Sequence, residues 1–180
     1  MLQLAGIPLF AAERGEEYPL IIAGGPCAYN PEPMADFVDI FSIGEGEETL
    51  CELADLYREC KKNGTPKAEL LKKASQIKGM YVPSLYSVEY NENGTIKDFK
   101  PVEDGVPAVI EKTFITDMDS VEFPTEHELP YLETVHDRMV LEVFRGCIRG
   151  CRFCQAGIVY RPVREKSPDV LNEQAKSLYK

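Results

Sequence analysis

The sequence contains no tryptophan, only two histidines and no apolar stretch long enough to span a membrane. A membrane-spanning helix needs about 20 consecutive apolar residues. The opening segment, residues 1–12, is apolar, but it has no basic beginning and Gly6 and Pro8 interrupt it, which is not typical of a signal peptide. We therefore expect a cytoplasmic protein with no membrane association.

Basic residues are outnumbered by acidic ones, and this argues against polyanion-binding proteins. The 180 residues include 20 lysines and arginines against 30 aspartates and glutamates, for a net charge of -10. Phosphate binding depends on clustered cations, so a general nucleic-acid surface is not indicated. The glycine turn at residues 44–46 lacks the Lys and Ser/Thr of a P-loop. Glu45, Glu47 and Glu48 would also repel a phosphate there.

The six cysteines are unevenly placed, and three of them form a motif. Cys147, Cys151 and Cys154 have the spacing CxxxCxxC and follow an apolar run, residues 139–144, that is typical of a buried strand. The sequence has no second CxxC pair. The other cysteines have no partner at ligand spacing and are interpreted as packing or surface thiols. These are Cys27, Cys51 and Cys60.

Three thiolates on one short loop can wrap one inorganic cluster. Iron-sulfur clusters are normally held by four cysteines, so three protein ligands would leave one iron of a 4Fe-4S cluster open to a substrate or a chelating cofactor. Gly146 and Gly150 remove side-chain bulk where the loop must fold around the cluster. Phe153 offers a flat apolar face to a bound ligand. The motif therefore predicts a metal site with an exchangeable position.

The segment around these cysteines is cationic although the chain is acidic. Residues 143–168 contain six cations and one acid, a local charge of +5, so the rest of the chain carries -15. Such a segment would favour an anionic iron-thiolate centre; an ordinary solvated helix face is the alternative. The cations are Arg145, Arg149, Arg152, Arg161, Arg164 and Lys166.

At these residues the chain resembles the radical S-adenosylmethionine (radical SAM) enzymes, whose hallmark is CxxxCxxC with an aromatic residue before the last cysteine. The resemblance implies that Cys147, Cys151 and Cys154 bind a 4Fe-4S cluster and that Phe153 lies near the adenosyl group. It also implies reductive cleavage of S-adenosylmethionine to a 5′-deoxyadenosyl radical. An electron donor such as flavodoxin or ferredoxin would then be a partner, and the substrate is unknown.

A zinc site is the alternative from another class, a non-catalytic structural or interaction module. Zinc commonly takes two separated cysteine pairs or cysteines with histidines. Here it would need a fourth ligand from outside the loop, with His136 or a distant cysteine as candidates. Inert or disulfide-bonded cysteines also remain open.

The first third of the chain has the alternating pattern of a doubly wound, flavodoxin-like α/β fold. Residues 18–23 form a short continuous apolar run, typical of strands in a parallel sheet covered on both faces, and the largely apolar residues 38–43 are predicted to be a second buried strand. Each is followed by a predicted helix, over residues 31–37 and from about residue 44 to residue 62.

Residues 22–33 and 42–49 resemble the second half of the cobalamin-binding-type domain found ahead of many radical SAM barrels. On this basis residues 1–62 form a partial domain of that type, and Gly24 and Gly25 match the glycine pair of its cobalamin motif. The Asp-x-His-x-x-Gly segment of the motif is missing from this sequence. The resemblance thus makes cobalamin a candidate cofactor of a full-length parent.

Residues 63–138 are predicted to be a connector. It has a helical pattern at residues 68–77, strand patterns at 80–82, 85–90, 95–99 and 109–115, and a hairpin turn at 91–94. An acidic linker with two prolines follows at residues 117–130.

Residues 139–180 are predicted to be the first βα unit of a radical SAM (β/α) barrel: a strand, the cysteine loop and a helix over residues 168–179 with Ser167 as its N-cap. A (β/α)8 barrel takes about 250 residues, and only 42 residues remain from Met139 onward. We therefore expect this chain to be an internal fragment that is inactive alone.

Overall fold

Short strands and α-helices give the chain a mixed α/β structure. The computed structural model describes residues 1–126, 131, 132, 135 and 138–179. The α-helices in this part are α1 (Thr49–Asn63), α2 (Lys67–Ala74), α3 (Ala156–Val159) and α4 (Pro168–Leu178). The strands are β1 (Ile22–Ala23), β2 (Ile40–Ser42), β3 (Met80–Tyr81), β4 (Tyr86–Tyr90), β5 (Ile96–Pro101), β6 (Phe144–Arg145) and β7 (Arg164–Glu165). Backbone contacts divide the chain into two units, Met1–Phe114 and Ile115–Lys180.

The first unit is built around a three-stranded sheet of order β1-β2-β3. Strand β1 runs parallel to β2, as the apolar runs predict, and β3 is antiparallel to β2. All three residues of β2 are buried, which explains why its sequence does not alternate. The core of this unit includes Ile40, Ala74, Met80 and Val82, each at most 1% exposed.

Strands β1 and β2 are shorter than predicted because a carboxylate replaces part of the ladder between them. The Ile21 backbone N–H donates to Asp39 Oδ2 over 2.8 Å, and the Asp39 N–H returns a bond of 2.9 Å to the Ile21 carbonyl. Regular pairing begins only at the next residues, where Ile22 is opposite Ile40.

Asp39 is the centre of a buried ion cluster in this unit. Its Oδ2 accepts from Arg14 Nη2 at 2.9 Å, and its Oδ1 lies 2.9 Å from Lys67 Nζ. Arg14 also donates to the carbonyls of Pro8 and Leu9. The cluster therefore connects the N-terminal segment, the start of β2 and the start of α2.

A close backbone approach fixes the glycine turn after β2. Gly44 has φ of +115°, and a Cβ placed on it would lie 2.2 Å from the Thr113 carbonyl oxygen, so no other residue fits without moving the chain. The Thr113 N–H bonds to Ile43 O, and its hydroxyl donates to Glu45 O over 2.8 Å. The strand predicted over residues 109–115 is present only as this single bridge.

The predicted hairpin is confirmed. Strands β4 and β5 pair antiparallel with a bulge at Glu89 and Tyr90, and the Tyr86 and Phe99 rings stack with centroids 5.0 Å apart. This hairpin belongs to the first unit, which ends at Phe114. The predicted division at residues 62 and 138 is based on family resemblance and stays a prediction.

The second unit contains an antiparallel ribbon in which Phe144 is opposite Glu165 and Arg145 opposite Arg164. The strand predicted over residues 139–144 is thus shorter and lies later in the chain than expected. Helix α4 confirms the predicted C-terminal helix, and the Ser167 side chain caps it by accepting from the Val170 N–H.

The fold-class prediction is confirmed at the level of mixed α/β structure with small sheets. The finer assignments, a doubly wound cobalamin-type domain and a barrel unit, remain predictions. Among the described helices none combines the length and the apolar character that crossing a membrane requires.

Candidate metal centre

The three motif cysteines lie in a loop, residues 146–163, whose ends are joined by the β6–β7 ribbon. Gly146 has φ of +102°, and a Cβ on it would lie 2.6 Å from Pro162 O and 2.8 Å from Tyr160 O. A Cβ on Gly157 would lie 2.7 Å from Arg149 O. Glycine is therefore required at two points where the loop packs against its own backbone. Gly150, the other glycine noted in the sequence, has open space around it.

All three cysteines are free thiols, and each takes part in a hydrogen bond with the loop backbone. Cys147 and Cys154 are half-buried and Cys151 is exposed. The Arg149 N–H donates to Cys147 Sγ at 3.4 Å, a type of bond that tunes metal-bound sulfur. The Cys154 N–H bonds to Cys151 O over 3.1 Å and closes a turn between these two cysteines.

The chemistry of this donor set fits a thiolate-bound metal. Three free sulfurs lie within eight residues of one loop, and none is consumed by a disulfide. The structure does not bring the sulfurs together: within the described ranges no three Cys, His, Asp or Glu side chains are grouped closely enough to hold a metal ion. The metal-ligand assignment of these cysteines therefore stays a prediction.

Phe153 is 92% exposed, and the neighbouring loop residues Ile148 and Ile158 are also exposed. Large apolar side chains on a loop surface are typical of a site that another group covers. The predicted role of Phe153 beside a bound adenosyl group is compatible with this exposure, but it stays a prediction.

The loop cations are not a solvated helix face, so that alternative is wrong. None of the six lies in α3 or α4. Arg164 and Lys166 are buried, Arg145 donates two bonds to Glu142 at 2.8 and 3.1 Å, and Arg149 and Arg152 are exposed.

Gly24 and Gly25 lie at the carboxyl end of β1, beside the turn that follows β2. They line a shallow groove of about 820 Å³ together with Ile22, Ser42, Gly44 and Leu50. The carboxyl ends of parallel strands are where α/β sheets bind ligands. The groove shows that the glycine pair is accessible, and the assignment of a cofactor to it stays a prediction.

His136, the candidate fourth zinc ligand, lies outside the described residues. Sequence reasoning missed Glu142 and its pairing with Lys166, whose Nζ lies 4.0 Å from Glu142 Oε2 at the base of the loop. An acid within the apolar run of residues 139–144 was the available signal for Glu142.

Residues 1–83 match the family described as radical SAM proteins, N-terminal. This match supports a place for the chain among radical SAM proteins. It covers a part of the chain that ends well before Cys147, so it is independent of the cysteine motif.

The chain is also similar to an uncharacterized protein of Methanocaldococcus jannaschii. The two are 29% identical over 153 residues, which is 84% of this chain. The chain spans 27% of the length of that relative. No solved structure matches the chain.

Proposed function

We propose that this chain is part of a radical SAM enzyme and binds a 4Fe-4S cluster through Cys147, Cys151 and Cys154. One observation carries the proposal: CxxxCxxC lies on a loop closed by a β-ribbon, in a chain whose residues 1–83 independently match radical SAM proteins. Three thiolates leave one position of such a cluster free for S-adenosylmethionine.

When bound, this cluster and cofactor would supply a 5′-deoxyadenosyl radical by one-electron cleavage of S-adenosylmethionine. The residues of this chain would hold and shield the site. The Arg149 N–H donates a hydrogen bond to the sulfur of Cys147, and the exposed ring of Phe153 would cover the adenosyl group. Gly146 and Gly157 keep the loop closed on itself.

Metal analysis of protein purified without oxygen tests this function. We expect iron and acid-labile sulfide, with the broad visible absorption of a brown iron-sulfur protein. A colourless protein that holds zinc would refute the proposal. It would favour the second candidate, a zinc module. The antiparallel ribbon beside the thiols supports this alternative, because structural zinc sites include zinc ribbons.

We further propose that this chain is an internal part of a longer enzyme. The 27% share of the relative's length supports this, as does the size of a catalytic barrel, about 250 residues. The residues that determine substrate specificity would then lie elsewhere in the parent. The parent should form 5′-deoxyadenosine and this chain should not; formation by this chain alone would contradict the proposal.

Cobalamin is a further candidate cofactor of that parent. The accessible groove beside Gly24 and Gly25 supports it, because small residues let a bulky ligand approach the backbone closely. The parent should then take up cobalamin, detectable by its absorption, and lose it when Gly24 is changed to Leu. A parent that binds no cobalamin would remove this candidate.

An acidic electron-donor protein of the flavodoxin or ferredoxin type is the partner that the loop surface fits. Arg149 and Arg152 are exposed next to the apolar Phe153. Exposed charges are screened beyond about 10 Å at 0.1 M salt. The rate of cluster reduction by such a donor should therefore fall with added salt and in Arg152→Gln, but not in Arg58→Gln, which removes an exposed arginine from α1. A rate unaffected by salt would exclude this docking mode.

A further inference from the structure

Lys166 is a buried cation that the proposed chemistry does not use. Its side chain is 0% exposed, and Nζ lies 4.0 Å from Glu142 Oε2. The same nitrogen lies 3.5 Å from Gln174 Oε1 and 4.5 Å from the centroid of the Phe123 ring. Removing an ammonium from water costs several kcal/mol unless charges and dipoles replace the water. The desolvation free energy of the Lys166 ammonium implies that its charge has a role in this unit.

The partners of Lys166 connect it to the base of the cysteine loop. Its backbone N–H donates to Val143 O over 2.9 Å and continues the β6–β7 ribbon by one bond. Its side chain reaches Glu142, whose carboxylate also accepts two bonds from Arg145. Glu142 therefore lies between two cations, one from each side of the ribbon.

The ion pairs of Glu142 hold Arg145 in place, and the cysteine loop begins directly after Arg145. Arg145 is followed directly by Gly146 and then by Cys147. Gly146 is in close backbone contact with residues 160–163, so a shift of Arg145 would move the first cysteine relative to the other two. A charge network that fixes both strands of the ribbon therefore also fixes the spacing of the thiols.

We propose that Lys166 is a positioning residue of the metal loop: through Glu142 and Arg145 it holds the loop closed, and its charge stabilises the reduced cluster. The proposal rests on the proposed function, because only a redox centre gives the charge a second role. The reduced form carries one more negative charge than the oxidised form. A buried cation at the base of the loop would stabilise the reduced form, and a carboxylate there would destabilise it, both more strongly than in water.

Two substitutions separate this role from simple packing. Lys166→Met keeps a long apolar side chain and removes the charge, and replacing a buried charge by an apolar residue is often neutral for packing. Glu142→Gln keeps the shape and removes the opposite charge. Both should loosen the ribbon, but they should move the reduction potential in opposite directions. A structural role alone would not produce shifts of opposite sign.

The experiment compares the unaltered chain with Lys166→Met, Glu142→Gln, Lys166→Arg and the matched control Lys176→Met, an exposed lysine of α4. Each protein is reconstituted with iron and sulfide without oxygen and titrated electrochemically. We expect a more negative midpoint potential in Lys166→Met, a more positive one in Glu142→Gln, recovery in Lys166→Arg and no change in the control. Equal potentials in all five proteins, or shifts of the same sign, would overturn the proposal.

Hydrogen exchange of the metal-free proteins gives a second readout that needs no cluster. The backbone amides of residues 145 and 166 should exchange several-fold faster in Lys166→Met and Glu142→Gln than in the unaltered chain. If the unaltered chain binds no iron, the proposed function fails, and the exchange rates still test the ribbon. Unchanged exchange rates would overturn the positioning role. If Lys166→Met does not fold, Glu142→Gln still tests the sign of the potential shift and the exchange rates, with Lys166→Arg as the variant that keeps the charge.

Discussion

Changing Cys147, Cys151 or Cys154 to alanine is expected to remove the iron-sulfur cluster from protein prepared without oxygen. A cluster that has only three protein thiolates has no spare ligand in the loop. Loss of an outer-shell partner already lowers metal affinity by about 10- to 100-fold, and loss of a ligand should exceed this. Iron content per chain and the visible absorption measure the effect.

Cys27→Ala and Cys51→Ala are the matched controls. Both thiols are exposed and lie in the first unit, so each variant removes one sulfur without opening the core. The controls should keep the iron content of the unaltered protein. Iron that survives the replacement of all three loop cysteines would place the metal elsewhere and contradict the assignment.

The cysteine motif could be recognised because its information is local, and its role as a metal site stays a prediction. CxxxCxxC lies within eight residues, and the spacing indicates the ligand set without knowledge of the fold. The long helix α1 is local in the same sense: its apolar positions and Gly64, which closes it with φ of +64°, are sequence features. Its start at Thr49 lies five residues after the predicted one, because the glycine turn is held by Thr113 instead.

The ribbon around the loop could not be predicted, because it depends on pairing between distant residues. Strands β6 and β7 are two residues each, too short to leave a period in the sequence. Which residue faces Lys166 depends on their register, and a slip of one residue would turn Glu142 to the other face. The charge balance of the segment was visible, but its pairing was not.

The buried ion cluster of the first unit could be predicted only in part. Asp39 interrupts an apolar run that was predicted to be a buried strand, and a buried carboxylate requires partners. This indicates that a cation must be near. It does not indicate Arg14 and Lys67, which are 25 and 28 residues away in the sequence. All three lie within residues 1–83, the part that matches radical SAM proteins, so the cluster belongs to the matched domain.

Asp39→Ala is expected to destabilise the first unit by about 3–5 kcal/mol, the typical cost of breaking a buried ion pair from one side. The buried Arg14 and the partly buried Lys67 would lose their carboxylate, and the Ile21 N–H would lose its acceptor. Arg14 would keep its bonds to backbone carbonyls, so it could not leave the interior easily. Urea unfolding followed by far-UV circular dichroism measures the loss, since the chain has no tryptophan.

Two further variants identify the cause of that loss. Asp36→Ala removes an exposed carboxylate three residues away and should change stability by no more than about 0.5 kcal/mol. Asp39→Asn keeps an acceptor for the Ile21 N–H but removes the charge, so its loss should lie between those of the other two variants. Because the cluster is buried, added salt should hardly change the difference between Asp39→Ala and the unaltered protein. An Asp39→Ala midpoint equal to that of Asp36→Ala would mean that the two cations find other partners and that the carboxylate does not hold this unit together.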